Sequence, residues 1–217
     1  MKRRLDWRLC LVTDRALAAP RAIEEIVAAA VRGGATAVQL REKGCGTREF
    51  VALARRLKTA LAGLGIPLIV NDRADVALAA NADGVHVGQS DMEYHDARRM
   101  LGPDAIIGLS VETMEQALEA EALDLDYLGV SPVFPTPTKT GTAPAWGIEG
   151  LRNLRRASRH ALVAIGGIAA ANAGEVIRAG ADGIAVVSAI CSVADPERAA
   201  RELRAAVDAG LSCCPPR

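Results

Sequence analysis

Short runs of β-branched and apolar residues alternate along the chain with longer stretches rich in Ala, Leu and Arg, whose apolar positions recur at helical spacing. The runs that read as strands are Leu9–Asp14, Ala37–Glu42, Leu68–Asp72, Gly84–Gly88, Ile106–Val111, Tyr127–Pro132, Leu162–Gly167 and Gly183–Ser188. The helical stretch IEEIVAAAVRGG closes on Gly33-Gly34, and a second begins at Thr47 with Phe50 and Val51 as its first apolar pair. Asp195-Pro196-Glu197 opens the last helix through an N-cap and a proline in the first turn. The segments GGATAVQL, ANADGVHV and AGADGIAV repeat one theme, a helix end, a tight turn and a strand, which marks a recurring connection. Eight such units predict a single (β/α)8 barrel domain over 1–217, with its core at about 9–208 and a disordered tail at 209–217. An open doubly wound sheet is the architectural alternative.

Composition narrows what such a domain can bind. Half of the 217 residues are apolar, enough for one well-buried core. Lys plus Arg and Asp plus Glu balance at 26 each, so no global field draws in nucleic acid or an anionic membrane. Aromatic residues make up only 3% of the chain, which disfavours a platform for stacking bases. The start, MKRRLDWRLC, lacks the apolar region of a secretory signal, and no apolar stretch is long enough for a membrane span. Cys10, Cys45, Cys191, Cys213 and Cys214 show no zinc-ligand spacing, and their odd number leaves one unpaired in any disulfide scheme. A reducing cytoplasm is the expected location.

Barrel chemistry gathers where the C-terminal ends of the strands meet their loops. Gln39, Arg41 and Lys43 are spaced by two and would face one side of an extended segment. They read either as an anion-binding row or as a salt-bridge ladder with Glu42 or a neighbour. Asp72 and Asp91 follow the third and fourth strands and could approach one Mg2+ ion, although an Asp at a strand end is also a common helix cap. The stretch Ser131–Thr140 combines three prolines, hydroxyls and Lys139, a stiff loop suited to fixing an oxyanion. Gly166-Gly167 after the seventh strand and Ser188 after the eighth match the place where barrels often hold a phosphate.

Taken in order, QLREK (Gln39–Lys43), Asn71-Asp72, GVHVGQSD (Gly84–Asp91), GLS (Gly108–Ser110), SPVFPTPTKT (Ser131–Thr140), IGGI (Ile165–Ile168) and VVSAI (Val187–Ile190) resemble the thiamine-phosphate synthase family. The resemblance runs from about Leu9 to Val207. It implies a transferase that joins an aminopyrimidine diphosphate to a thiazole phosphate, plain or carboxylated, and releases pyrophosphate through a pyrimidine methylene cation. It further implies that Gln39, Leu40, Arg41, Glu42, Lys43, Asn71, Ser110 and Lys139 hold the pyrimidine diphosphate, with Arg41, Lys43, Ser110 and Lys139 serving the chemistry. Thr136, Pro137, Thr138, Gly167, Val187 and Ser188 would hold the thiazole phosphate, and Asp72 and Asp91 would bind Mg2+.

Three rival readings share parts of this pattern. A thiazole tautomerase on the same barrel needs neither Mg2+ nor a diphosphate cradle, so the set Arg41, Lys43, Asn71, Asp72, Asp91 and Lys139 argues against it. A non-catalytic phosphate-binding barrel would have eroded carboxylates, and these are intact. A metal-dependent epimerase would place several histidines at strand ends, whereas of His86, His95 and His160 only His86 lies near one. Small-molecule substrates are thus the expected partners, and the oligomeric state is left open.

Overall fold

A computed structural model describes residues 5–136 and 143–213. Eight parallel strands close into a barrel in chain order: β1 (Leu9–Val12), β2 (Ala37–Leu40), β3 (Leu68–Asn71), β4 (Gly84–Val87), β5 (Ile106–Val111), β6 (Tyr127–Val130), β7 (Leu162–Ile165) and β8 (Gly183–Val186). Pairing of Leu9 with Ile184 joins β8 back to β1. Helices α1 (Arg15–Ala18), α2 (Ile23–Arg32), α3 (Thr47–Ala60), α4 (Ala74–Ala80) and α5 (Tyr94–Leu101) fill the first half of the ring. The second half holds α6 (Met114–Ala120), α7 (Gly147–Ala157), α8 (Ala170–Arg178), α9 (Ser188–Cys191) and α10 (Pro196–Ser212).

The strand starts fall where the apolar runs begin, but all except β5 end earlier than the runs suggest. The polar tips leave the hydrogen-bonded ladder to form the loops above it. The expected tail at 209 also shifts, because α10 continues to Ser212 with Val207 and Gly210 buried on its inner face. Its start is as expected: Asp195 caps it by accepting the Arg198 N–H at 2.9 Å.

Strand alternation separates two apolar layers. Leu9, Leu11, Val38, Leu40, Leu68 and Val70 point outward against the helices. Cys10, Val12, Ala37, Ile69, Tyr127, Val163 and Ala185 point inward and, with Trp7, plug the lower barrel. The rings of Trp7 and Tyr127 lie 4.3 Å apart at the centre of this plug.

The repeated helix-to-strand theme has a structural cause at the lower rim. The residue before each even-numbered strand accepts an N–H from the start of the preceding odd strand, from its first residue in β1, β3 and β7 and its second in β5. Leu9 donates to Thr36 Oγ1 at 3.0 Å, and Leu68, Ile107 and Leu162 each donate at 2.8 Å to Asp83, Asp126 and Asp182. Their own N–H groups return the bond, to the carbonyls of Leu9, Leu68, Ile107 and Leu162 at 2.8, 2.9, 3.0 and 2.8 Å. Cations brace two of the carboxylates closely, Lys58 on Asp83 at 2.7 Å and Arg155 on Asp182 at 2.9 Å. Each carboxylate acceptor is worth about 1.5–3 kcal/mol, enough to fix the small polar residue in these turns.

Candidate active site

At the opposite rim one cavity of about 940 Å³ opens along the barrel axis above the aromatic plug. Cys10, Val12, Val163 and Ala185 form its apolar floor. The wall above is polar and comes from nearly every strand end, as expected for a barrel.

On the β2 side, Gln39 points inward from the strand and is almost fully buried. Because β2 ends at Leu40, Arg41 and Lys43 sit in the following loop and not on one extended face, yet both side chains reach the cavity. Arg41 Nη1 lies 3.0 Å from Asp14 Oδ2, so its charge is held by a carboxylate of the neighbouring loop and not by Glu42. Glu42 instead pairs with Arg15 at 2.9 Å, with its carboxylate almost wholly buried. Leu40 packs outward in the layer beneath the helices. Neither the Leu40 nor the Glu42 side chain lines the cavity, which leaves those two positions only their backbone to offer a ligand.

Asn71 and Asp72 stand at the tip of β3. Asp72 has φ 65, in the left-handed region that Asp and Asn tolerate better than most residues. Its N–H donates to the His86 carbonyl at 2.8 Å, and the helix that follows is capped at Arg73, so Asp72 is no helix cap. This unusual backbone directs its carboxyl at Asp91, whose Oδ2 accepts the Gly88 N–H at 2.7 Å. Partial burial, the Asp91 charge and a hydrogen bond to Asp91 together push the Asp72 carboxyl up to about 6, against the pull of Lys43 and Arg41. Two carboxylates held this close are under electrostatic strain that a hard cation would relieve, so the oxygen-only donor pair fits Mg2+. Among the described residues no group of three or more His, Cys, Asp or Glu side chains forms a metal cage.

The far wall is built from the β6 to β8 ends. Gly166 and Gly167 have φ 103 and 65, and a Cβ on Gly167 would lie 2.7 Å from Phe134 Cβ and 2.9 Å from the Pro135 carbonyl. The pair is therefore glycine because the loop after β6 packs directly on it. Asn172 ties this turn to α8, donating to the Gly167 carbonyl at 3.0 Å and accepting the Ala169 N–H at 2.9 Å. Thr136, Gly167, Val187 and Ser188 all line the cavity, whereas Pro137, Thr138 and Lys139 lie outside the described residues.

Sequence reasoning passed over the centre of the wall. His86 and Tyr127 enter the cavity from β4 and β6, with ring centroids 5.3 Å apart. A Cβ on Gly129 would come within 2.8 Å of His86 Cε1, and one on Gly108 would collide with the Tyr127 ring. Two glycines inside strands were the signal in the sequence, since an in-strand glycine often marks a close approach. Gln89 and Glu112 also line the cavity; Gln89 Nε2 donates to the Ser110 carbonyl at 2.7 Å, and Glu112 Oε2 accepts the Ala143 N–H at 3.1 Å.

A closed parallel barrel whose upper mouth joins cations, a carboxylate pair and a glycine-hinged rim defines a barrel enzyme acting on small molecules. A family model described as thiamine monophosphate synthase matches residues 9–190. A thiamine-phosphate synthase of Albidiferax ferrireducens is 59% identical over 202 residues, 93% of this chain and 92% of that protein. One from Vibrio parahaemolyticus is 48% identical over 93% of this chain and 98% of its own. The solved thiamine phosphate pyrophosphorylase from Pyrococcus furiosus superposes with a TM-score of 0.87 at 42% identity, covering 95% of this chain and 98% of that one. The chain belongs to the thiamine monophosphate synthase family. No helix among the described residues is long and apolar enough to cross a membrane.

Proposed function

We propose that this protein is a thiamine-phosphate synthase, which condenses an aminopyrimidine methyl diphosphate with a thiazole phosphate to give thiamine phosphate and pyrophosphate. The observation that carries the reading is the single cavity of about 940 Å³ shared by the Gln39–Ser110 wall, the Asp72/Asp91 pair and the Gly167/Ser188 rim. That volume stands at the upper end for small-molecule sites, large enough for two substrates side by side. The intact carboxylate pair also favours this reading over a thiazole tautomerase of the same fold.

In the reaction the C–O bond between the pyrimidine methylene and the diphosphate breaks, and its electron pair leaves with the diphosphate. The thiazole nitrogen then donates its lone pair to the methylene cation, forming the C–N bond. Neither step needs a strong base. Arg41 and Lys43, with Lys139 beyond the described residues, hold the diphosphate oxygens and stabilise the charge that builds on them. Asp72 and Asp91 would hold Mg2+, which when bound supplies further neutralisation of the departing diphosphate. Gln39, Asn71 and Ser110 orient the pyrimidine diphosphate. The rim at Gly167, Val187 and Ser188, with Thr136, seats the thiazole phosphate so that its nitrogen faces the methylene. The apolar floor gives water no foothold from which to intercept the cation. A cytoplasmic location suits such an enzyme.

The test is incubation of purified protein with both substrates and Mg2+, followed by mass spectrometry. Thiamine phosphate and pyrophosphate appearing in equal amounts is the expected result. Absence of both, with proton exchange on the thiazole alone, would replace the synthase reading with the tautomerase.

A further inference from the structure

Four side chains form a hydrogen-bonded row across the cavity wall. Gln39 Nε2 donates to the Tyr127 hydroxyl at 3.3 Å, that hydroxyl lies 2.8 Å from His86 Nδ1, and His86 Nε2 lies 2.8 Å from Ser110 Oγ. Gln39, Tyr127 and His86 are all buried, and Ser110 at the end of the row is partly open to the cavity.

The direction of the protons follows from counting donors. Burial holds the Tyr127 phenol well above its ordinary value, so it keeps its proton. Its oxygen already accepts from Gln39, and the acceptor within reach of its own hydrogen is His86 Nδ1. With Nδ1 accepting, the neutral ring carries its hydrogen on Nε2 and donates it to Ser110 Oγ. The serine oxygen is then occupied as an acceptor, and its own hydrogen is left to turn into the cavity. The rings cannot easily rearrange, because the slots opened by Gly108 and Gly129 seat Tyr127 and His86 in place.

We infer that Tyr127 and His86 are positioning residues that fix Ser110 as a hydrogen-bond donor, aimed at an acceptor atom of the pyrimidine diphosphate. The identity of that ligand rests on the proposed function; the proton order itself does not. A serine free to rotate would spend part of its time accepting from His86 or donating to it. One that already accepts from His86 has its own hydrogen turned away from the ring and presents a preorganised donor, which costs less to bring into the transition state.

The tautomer is read directly by long-range 15N–1H correlation of the histidine rings in the free, full-length protein at pH 8. Only His86, His95 and His160 contribute. His86 is assigned through His86→Gln or, should that variant not fold, by removing His95 and His160 in turn. The expected spectrum shows His86 neutral, with the proton on Nε2 and an unprotonated Nδ1. A proton on Nδ1 would mean the row runs the other way, with Ser110 as acceptor, and would overturn the inference. Tyr127→Phe keeps the ring but removes the donor to Nδ1. It should populate the other tautomer and lower kcat/KM for the pyrimidine diphosphate about ten-fold, with KM for the thiazole phosphate unchanged. In a Ser110→Ala background the same substitution should have almost no further effect; fully additive losses would show that Tyr127 does not act through Ser110. The spectrum needs no substrate, so an inactive wild-type protein would sink the synthase reading and leave the proton order standing.

Discussion

Replacing Asp72 by Asn should make the metal-free protein more stable and the enzyme slower. The substitution keeps the shape of the side chain, a residue type that accepts φ 65, and the N–H donated to His86. It removes the charge that faces Asp91. Lifting a carboxyl from its ordinary 3.8 to about 6 places a penalty of about 3 kcal/mol on the charged form. Asp72 is only half-buried, and screening by solvent reduces this to about 1 kcal/mol. The sign follows from proton binding. Between about pH 4 and pH 6 the folded chain still holds the Asp72 proton after the unfolded chain has lost it, so wild-type stability falls across that window and stays lower above it. Asp72→Asn has no such fall. By calorimetry without metal, the two proteins should melt together at pH 4, and the variant about 2–4 °C higher at pH 8. Added Mg2+ should close the gap by stabilising the wild type. Activity should drop about ten- to a hundred-fold and recover in part at raised Mg2+, with Asp91→Asn similar and the double variant far from additive. An unchanged Mg2+ requirement, or a variant less stable than wild type at pH 8, would refute the carboxylate-pair argument.

Arg41→Ala should cut kcat/KM for the pyrimidine diphosphate about ten- to a hundred-fold, the worth of one charge-assisted contact, and steady-state kinetics with each substrate varied will show whether the loss is confined to that substrate. Gly167→Ala places a Cβ against Phe134 and Pro135 at positive φ, so it should cost about 1–3 kcal/mol in urea unfolding and raise KM for the thiazole phosphate. Gly108→Ala collides with the Tyr127 ring; it should perturb the tyrosine fluorescence and the pyrimidine diphosphate kinetics while thiazole phosphate binding, followed by calorimetry, stays close to wild type.

Strand starts were legible because parallel strands buried on both faces read as apolar runs that begin abruptly, in the even-numbered strands after a small polar turn residue. Their ends were not, since Gln39 to Lys43 keeps a two-residue alternation after the ladder has stopped at Leu40. That alternation also gives no sign of which face meets the cavity, so Leu40 and Glu42 could not be told apart from Gln39 and Arg41 in QLREK. Asp72 as a cap or a carboxylate aimed at Asp91 depended on one backbone angle, which Asp-Arg-Ala-Asp does not disclose. His86 and Tyr127 stand 41 residues apart, and only the registers of β4 on β5 and β5 on β6 bring them into contact.

The polar clasps at the lower rim divide the ring into quarters. Each joins an odd strand to the even strand after it, through Thr36, Asp83, Asp126 and Asp182, whereas the joints from β2 to β3, β4 to β5, β6 to β7 and β8 to β1 are held by the backbone ladder. The described residues enter the barrel at β1 and leave it after β8, on either side of the last of these joints. A circular permutant reopened at another joint, ahead of β3 or β5, keeps every quarter whole, whereas one cut at residue 36, 83 or 126 severs a clasp within its own quarter. The barrel therefore carries three interior addresses at which its sequence can be restarted, set by hydrogen bonding on the face opposite the cavity.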